Sequence, residues 1–221
     1  IGRAVGLPPE VGGIPLDTIG ATGFGLSVSI EAASKLCGLD LQGARIVVQG
    51  FGSVGKHAAH FLAAKGAILV GAADSQGAVY HPKGIDIVQL TALKDAGKSV
   101  LDYQGGEKLH RDAAVDIECD VWIPAARPDV LRADNVQRLN AKMVASGANI
   151  PATAEAEQEL HRRGIIVLPD FIANAGGVIC AAVEYHGGAQ AAAFPTIEEK
   201  IYTNTTLVLE EALKAKVPPR Q

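Results

Sequence analysis

The sequence predicts an α/β fold: a doubly wound, mostly parallel sheet with helices on both faces. Short apolar segments alternate along the chain with segments whose apolar residues have helical spacing. The apolar segments are hydrophobic throughout rather than at every second residue, as expected for strands buried on both faces. Hydrophobic residues make up 48% of the 221 residues and charged residues 20%, which excludes wholesale disorder.

The predicted elements follow one another in a regular order. Residues 1–17 are rich in Gly and Pro and are predicted to be an irregular lead-in. Predicted helices cover 18–37, 54–65, 86–96, 133–139, 153–163 and 177–185. Predicted strands cover 45–49, 67–73, 121–125, 142–146 and 165–168. Residues 75–83 are predicted to be a loop, and residues 98–118 show no clear pattern.

The last predicted helix begins at Thr196. The segment TIEE, from Thr196 to Glu199, has the spacing of a capping box, in which the Thr and Glu side chains would satisfy the first free N–H groups. Residues 196–221 are therefore predicted to be a C-terminal helix and tail.

Composition and charge exclude several classes of function. Twenty basic and 24 acidic residues give a net charge of −4, so a nucleic-acid partner is not expected. The longest stretch without Asp, Glu, Lys or Arg has 13 residues, short of the roughly 18 that span a bilayer, so no membrane segment is expected. The chain starts at Ile1 without a charged leader, and we expect it to lack a signal peptide and to be part of a longer protein.

Cysteine and histidine spacing predicts no metal or disulfide framework. Cys37, Cys119 and Cys180 are widely separated, which favours a reducing cytoplasm. His57 and His60 are three residues apart on a predicted helix, but no third ligand is near in sequence. Cys180 is expected to be a small buried side chain rather than a reactive thiol.

The segment GFGSVG lies between the strand 45–49 and the next helix, which is the context of a dinucleotide-binding turn in a Rossmann-type fold. Gly50 permits the tight turn, Gly52 lets the backbone approach a diphosphate, and Gly55 lets the helix pack on the strand. The N–H groups of Ser53 and Val54 would face the anion. The whole chain, 1–221, is therefore predicted to be one NAD(P)-binding Rossmann domain.

Asp74 ends the second strand, nineteen residues after Gly55. A carboxylate there can accept hydrogen bonds from the adenosine ribose hydroxyls and repel a 2′-phosphate, which favours NAD over NADP. NADP stays possible because Ser75 follows the acid, and His81 and Lys83 are near in sequence.

Two clusters of Asn and Gly follow later strands. One ends at Asn149 (SGAN) and the other begins at Asn174 (NAGG). The carboxyl ends of parallel strands form the edge where open α/β sheets bind ligands, and an amide can both donate and accept there. Ordinary turn chemistry explains either cluster alone equally well.

Six short motifs follow one another along the chain. They are ATGFG (21–25), GFGSVG (50–55), DSxG (74–77), CDxxxPAA (119–126), GAN (147–149) and PDxxANAGGV (169–178). This series resembles the cofactor-binding, C-terminal domain of the glutamate, leucine, phenylalanine and valine dehydrogenase family. The resemblance runs from about Gly12 to Glu211.

The resemblance implies oxidative deamination of an L-amino acid to a 2-oxo acid and ammonia, with hydride transfer to NAD(P). By position it implies Thr22 beside the nicotinamide amide, Ala125 and Ala126 along the nicotinamide ribose, Asn149 and Asn174 at the nicotinamide end, and Asp74 at the adenosine ribose. It also implies a small amino-acid substrate and a homo-oligomer for the full-length protein.

The catalytic lysines and aspartate of that family belong to a preceding substrate domain, so no catalytic residue is assigned here. We expect this chain to bind the dinucleotide without turning over by itself. Ala181 stands where glutamate-specific members commonly carry Ser, a mild shift away from glutamate, which remains the best single substrate. The alternative is a non-catalytic NAD-binding sensing or assembly module. The two Asn clusters favour the dehydrogenase, because a sensor needs no groups around the reacting end of the nicotinamide.

Overall fold

Seven strands form one sheet in the computed structural model, which describes residues 4–221. The strands are β1 (Arg45–Gln49), β2 (Ile68–Ala73), β3 (Ala78–Tyr80), β4 (Glu107–Leu109), β5 (Val121–Pro124), β6 (Met143–Ala145) and β7 (Ile166–Leu168). Their order is β4-β3-β2-β1-β5-β6-β7. All pairs are parallel except β2–β3 and β3–β4. The predicted doubly wound, mostly parallel sheet is confirmed, with the strand order reversing between β1 and β5.

Helices form three of the six connections between consecutive strands and also precede and follow the sheet. They are α1 (Ala21–Cys37), α2 (Ser53–Ala64), α3 (Ile87–Asp95), α4 (Ala154–Arg162), α5 (Asp170–Ala173), α6 (Gly176–Tyr185) and α7 (Ala193–Ala215). Short 3₁₀ turns occupy Pro9–Val11, Val100–Asp102, Arg111–Asp116, Val136–Arg138 and Gln190–Ala192.

Both faces of the sheet are covered, because successive side chains of a strand point to opposite faces. On β1, Ile46 and Val48 pack into one core with Leu62 of α2. Val47, between them, packs into a second core with Leu160 of α4. Helices α1, α2 and α7 cover the first face, while α4 and 3₁₀ turns cover the second. This confirms the prediction of helices on both faces.

The lead-in is mostly irregular where the structure describes it, with one 3₁₀ turn at Pro9–Val11. The first three residues of the predicted segment 1–17 lie outside the described residues. The carboxylate of Glu184 on α6 accepts hydrogen bonds from the N–H groups of Gly6 and Leu7, at 3.2 and 2.9 Å. The lead-in is therefore attached to α6.

The prediction of a loop over residues 75–83 is wrong, because β3 lies within it. Ala78 pairs with Ala73 and Tyr80 with Gly71, so the chain turns back antiparallel to β2. Strand β4, inside the unassigned stretch 98–118, then pairs antiparallel with β3, and its Glu107 and Lys108 are exposed. Each of these strands has three residues, too few to show a two-residue period.

One predicted helix is wrong, and the C-terminal helix is confirmed but begins earlier than predicted, for a shared reason. Residues 133–139 form only a 3₁₀ turn, because the Asn135 side chain accepts from the N–H of Arg132 and donates to the carbonyl of Val130. Helix α7 begins at Ala193, before the expected capping box, and the Thr196 hydroxyl donates to the carbonyl of Ala192 within the helix. In both cases a short polar side chain bonds to nearby backbone in a way that spacing does not reveal.

Within residues 4–221 no helix is both long enough and apolar enough to cross a membrane. All three cysteines are free.

Candidate cofactor-binding site

A pocket of about 390 Å³ opens at the carboxyl ends of β1, β2 and β5. Half of the predicted cofactor residues line it: Gly50, Gly52, Asp74, Ser75, Ala125 and Ala126. The lining also contains residues that the sequence did not single out: Gln49, Phe51, Lys94, Arg111, Asp112 and Arg127. The pocket lies where the strand order reverses, which is the usual ligand position in a doubly wound sheet.

Two glycines of the turn after β1 are required by the protein itself. Gly50 has φ +103°, and a Cβ there would lie 2.7 Å from the backbone nitrogen of Ala126. A Cβ on Gly55 would lie 2.1 Å from the carbonyl oxygen of Gly50. Neither position has room for a side chain, so both glycines are explained by packing alone.

Gly52 is different, because nothing in the protein requires a glycine there. It has φ −95°, it is exposed, and a Cβ would meet no atom within 4 Å. Every other described glycine with such open surroundings has a positive φ, which gives a conformational reason for glycine. Those are Gly6, Gly12, Gly38, Gly43, Gly97, Gly105, Gly164 and Gly187. A ligand lying against the backbone would explain the glycine at position 52.

Helix α2 starts at this turn without a side-chain cap. The hydrogen bond from Lys56 N to the carbonyl of Gly52, at 2.9 Å, is the first of the helical ladder. Within residues 4–221 the N–H groups of Ser53 and Val54 donate to no protein acceptor. Free N–H groups and the helix dipole make this point favourable for an anion, so these residues fit a diphosphate.

The carboxylate of Asp74 is already fully engaged inside the protein. Its Oδ1 accepts from the N–H of Gln76 (2.9 Å) and Gly77 (3.3 Å) and from the Ser99 hydroxyl (3.1 Å). Its Oδ2 accepts from Lys94 Nζ (2.7 Å) and from the N–H of Val100 (2.9 Å). Burial opposes the charge, but Lys94 and these N–H groups outweigh it, so the pKa of Asp74 is lowered. A carboxylate that selects NAD must be free to accept from the ribose, and Asp74 already has five internal donors.

The cations beside this pocket are not those near Asp74 in sequence. Because β3 runs antiparallel to β2, His81 lies back along β2, where its N–H donates to the carbonyl of Val70. Lys83 lines a different pocket, beside the start of α3. Lys94 of α3, Arg111 and Arg127 are the cations that line the predicted site.

The two predicted asparagines meet although 25 residues separate them. The side-chain Nδ2 of Asn174 donates to Oδ1 of Asn149 at 2.8 Å. The GAN loop is tied to β5, because the N–H groups of Gly147 and Ala148 both donate to the carbonyl of Pro124. The asparagine pair is therefore attached to the strand end that leads into Ala125 and Ala126.

Thr22 lies on the same side as the asparagine pair. A Cβ on Gly177 would be 2.7 Å from Thr22 Oγ1, and a Cβ on Gly176 would be 2.1 Å from the carbonyl oxygen of Ala21. The first turns of α1 and α6 therefore cross in direct contact, which explains the glycines of the NAGG motif. Thr22 lines no part of the pocket at Gly50 and Gly52.

Two buried polar atoms at the carboxyl edge have no hydrogen-bond partner within residues 4–221. They are Oε1 of Gln49, at the end of β1, and Oγ of Ser146, just after β6. Gln49 also lines the pocket. Both oxygens are themselves shielded from solvent, so a ligand in the pocket would reach neither of them without a movement of the side chain.

The other titratable candidates have structural roles. His57 Nδ1 lies 2.8 Å from the carbonyl oxygen of Ser53, and no three metal-binding side chains cluster in the described part of the chain. Cys180 is fully buried, and burial together with the charge of Glu184 raises the pKa of its thiol. Burial raises the pKa of Cys119 to about 12.

The sequence of this chain is similar to those of proteins from one family of amino-acid dehydrogenases. The family model described as "Glutamate/Leucine/Phenylalanine/Valine dehydrogenase" matches residues 12–217. A glutamate dehydrogenase of Aeropyrum pernix is 39% identical over 215 residues, covering 94% of this chain and 51% of that protein. An NADP-specific glutamate dehydrogenase of Saccharolobus shibatae is 39% identical over 181 residues, covering 81% of this chain and 42% of that protein.

A solved structure shares the fold over nearly the whole chain. The hetero-hexameric glutamate dehydrogenase from Thermus thermophilus superposes with a TM-score of 0.87 and 29% sequence identity, covering 98% of this chain and 52% of that one. The chain thus spans about half the length of the proteins it matches.

Proposed function

The chain belongs to the glutamate/leucine/phenylalanine/valine dehydrogenase family, and from this membership we propose that it binds NAD or NADP as part of an L-amino-acid dehydrogenase. The proposal rests on the glycine at position 52, which the structure of the protein does not itself require. No neighbouring atom and no positive φ requires a glycine there, so the reason for glycine lies in a ligand that approaches the backbone. The uncapped start of α2 offers N–H groups to an anion at the same point.

The twelve predicted cofactor residues divide among three parts of the dinucleotide. In this proposal the diphosphate lies over the turn at Gly50, Gly52 and Gly55 and against the N–H groups of Ser53 and Val54. The adenosine ribose lies beside Asp74 and Ser75. The nicotinamide half is held by Thr22, Ala125, Ala126, Asn149 and Asn174. Residues 1–221 then form one dinucleotide-binding unit.

We propose that the site accepts NADP as well as NAD. The sequence argument for NAD needs a free Asp74 carboxylate, and this one is paired with Lys94 and saturated by donors. Lys94, Arg111 and Arg127 line the pocket against two carboxylates, Asp74 and Asp112. The balance of charge there is positive, which attracts a 2′-phosphate rather than repelling it.

Cofactor preference can be tested without any catalytic assay. Replacing Arg111 and Arg127 together by Ala should weaken NADP binding about tenfold and NAD binding by less than about twofold. Arg132→Ala, at an exposed arginine outside the pocket, is the control. Equal losses for the two dinucleotides would show that these arginines act on the diphosphate and not on the 2′-phosphate.

We propose glutamate as the substrate of the whole protein, because the relatives with the highest identity reported above are named glutamate dehydrogenases. The bound nicotinamide would accept a hydride from the amino-acid Cα. This chain's own residues would bind and orient the dinucleotide. Ala181, half-buried on α6, stands where glutamate-specific members carry Ser and favours an apolar amino acid instead. Activity of the full-length protein on a panel of amino acids decides between glutamate and an apolar substrate.

The 221 residues are proposed to bind without turnover. Asp170, on the helix that precedes Asn174, is paired with Arg220, which also binds Glu157. None of these three groups is free to act as a base that deprotonates an amine. Measurable amino-acid oxidation by the purified chain would contradict this proposal.

Two further proposals concern the whole protein. Assembly as an oligomer is proposed by analogy, since the Thermus thermophilus relative is described as a hetero-hexamer. That the copies are identical is proposed from the family resemblance alone. A reducing cytoplasm is proposed because all three cysteines are free.

The decisive experiment is calorimetric titration of the chain with NAD and NADP, repeated on Gly52→Ala. We expect at least about 100-fold loss of affinity, because the new methyl group occupies the space of the diphosphate, with a stability change within about 0.5 kcal/mol. Val88→Ala, at a 71% exposed position on α3, is the control. Binding that survives Gly52→Ala unchanged would refute the assignment. If the full-length protein binds NAD(P) but oxidises no amino acid, the sensing or assembly module is the correct reading.

A further inference from the structure

The C-terminal tail returns to the functional edge of the sheet. Helix α7 ends at Ala215, and Lys216 has φ +55°, a left-handed conformation that turns the chain. Pro218, Pro219 and Arg220 then lie along Val167 of β7. The tail thus runs beside the strand whose carboxyl end leads to Asn174.

Arg220 joins two buried carboxylates. Its Nε lies 2.9 and 3.0 Å from the two carboxylate oxygens of Glu157 on α4, and its Nη2 donates to Oδ1 of Asp170 at 2.7 Å. The side chains of Glu157 and Asp170 are each 10% exposed. The guanidinium also lies 5.6 Å from the centre of the Phe171 ring. Such a planar fork is specific to arginine, since a lysine ammonium cannot span both partners in this geometry.

Asp170 links Arg220 to the GAN loop. Its second oxygen, Oδ2, accepts from the N–H of Ile150 at 2.7 Å. Ile150 has φ +48°, an uncommon conformation for a β-branched residue that surrounding contacts must hold. Asn149, the residue before it, accepts from Asn174, and Asn174 follows the helix α5 that Asp170 begins. One carboxylate therefore fixes both loops that carry the asparagine pair.

We propose that Arg220 is a positioning residue for the nicotinamide end of the cofactor site, acting through Asp170 on Asn149 and Asn174. This inference rests on the proposed function, because it assigns the asparagine pair to the nicotinamide. Arg220 forms no part of the pocket at Gly52 and Asp74. Its effect is therefore confined to one half of the dinucleotide.

The test compares a whole dinucleotide with a fragment that lacks the nicotinamide. Arg220→Ala in the 221-residue chain should raise the Kd for NAD about tenfold, the equivalent of one well-placed hydrogen bond, and leave the Kd for ADP-ribose within about twofold. Arg162→Ala is a matched control, because Arg162 binds Glu159 through the same Nε and Nη2 atoms on the exposed side of α4. The control should change neither Kd.

Arg220→Lys serves if removal of the guanidinium unfolds the chain. A lysine keeps the charge but loses the fork, so NAD binding should weaken while ADP-ribose binding stays. The backbone amide signal of Ile150 and the side-chain amide signal of Asn174 should both shift in the NMR spectrum of Arg220→Lys without any ligand, and neither should shift in Arg162→Ala.

The outcomes separate the inference from the function it rests on. If the unaltered chain binds neither NAD nor ADP-ribose, the proposed function is refuted and the inference with it. If the unaltered chain binds both and the Arg220 variants lose both equally, or lose neither, the function stands and the positioning role is overturned.

Discussion

At the β1–β2 side of the site, close backbone packing fixes the glycine turn, whereas at the β6–β7 side, side-chain contacts add to backbone contacts and join two separate loops. The turn at Gly50 and Gly55 is fixed by backbone atoms too close to admit a Cβ. The loops of Asn149 and Asn174 are instead joined by an amide pair, a carboxylate and an arginine from the distant tail. One half of a binding site can therefore be fixed by close steric packing while the other half depends on a chain of polar contacts.

The largest effect is expected where backbone meets backbone. Gly55→Ala places a Cβ 2.1 Å from the carbonyl oxygen of Gly50, which α2 can relieve only by moving off β1. We expect a loss of about 3 kcal/mol in the free energy of unfolding, measured by urea denaturation. Gly52→Ala, three residues earlier, is the control and should change it by less than about 0.5 kcal/mol. Equal stability of the two variants would show that steric packing does not fix the turn between Gly50 and Gly55.

Asp74→Ala is expected to cost about 2 kcal/mol, because it removes the acceptor for Ser99, Val100 and Lys94 at a side chain only 9% exposed. Asp95→Ala is the control, since Asp95 pairs with Lys56 while 57% of its side chain is exposed, and should lie within about 0.5 kcal/mol of the unaltered chain. The measurement is urea denaturation at pH 7. A result near zero would mean that water satisfies these donors as well as the carboxylate does, and that Asp74 is free for the ribose after all.

The same residue gives a pH dependence with a defined sign. The folded-state pKa of Asp74 is lowered, so its stabilisation is fully present above the ordinary aspartate pKa of about 3.9 and is lost as the pH falls through the lower folded value. The stability difference between the unaltered chain and Asp74→Ala should therefore be constant from pH 7 to 5 and shrink below about pH 4. A difference that grew on acidification would contradict the direction of the shift.

Asn174→Ala should have the smallest effect on stability and a selective effect on binding. The hydrogen bond that its side-chain amide donates to Asn149 is exposed, so we expect a loss below about 1 kcal/mol in the free energy of unfolding. The Kd for NAD should rise about tenfold and that for ADP-ribose by less than about twofold. Titration of both ligands, with Asn135→Ala outside the site as control, checks this result. Equal losses would show that the asparagine pair supports the whole cleft.

The sequence predicted the sterically determined half from local rules. Gly50, Gly52 and Gly55 have a fixed spacing between a strand and a helix, so their places follow from short-range geometry. Asp74 was correctly placed at the end of β2, but its five donors come from residues up to 26 positions away, and its occupied state had no local signal. His81 and Lys83 were considered as phosphate partners because β3 was missed, and Lys94, Arg111 and Arg127 line the pocket instead.

The side-chain half was accessible only through family resemblance. In the sequence, SGAN and NAGG resemble ordinary turns, and no spacing rule joins Asn149 to Asn174. Arg220 could not have been found, because its partners Glu157 and Asp170 lie 63 and 50 residues away, and an arginine near a chain end has no distinctive pattern. The failed capping box at Thr196 has a local cause instead, since its hydroxyl donates to the carbonyl four residues back within the helix.

Strand β4 has a consequence for how copies of this protein can associate. It lies at the outer edge of the sheet, with Glu107 and Lys108 both facing water. A charged three-residue border offers few free ladder groups to a neighbouring molecule and resists continuous β-pairing between copies. The sheet is accordingly protected at this margin from the strand-by-strand growth that leads to fibrils.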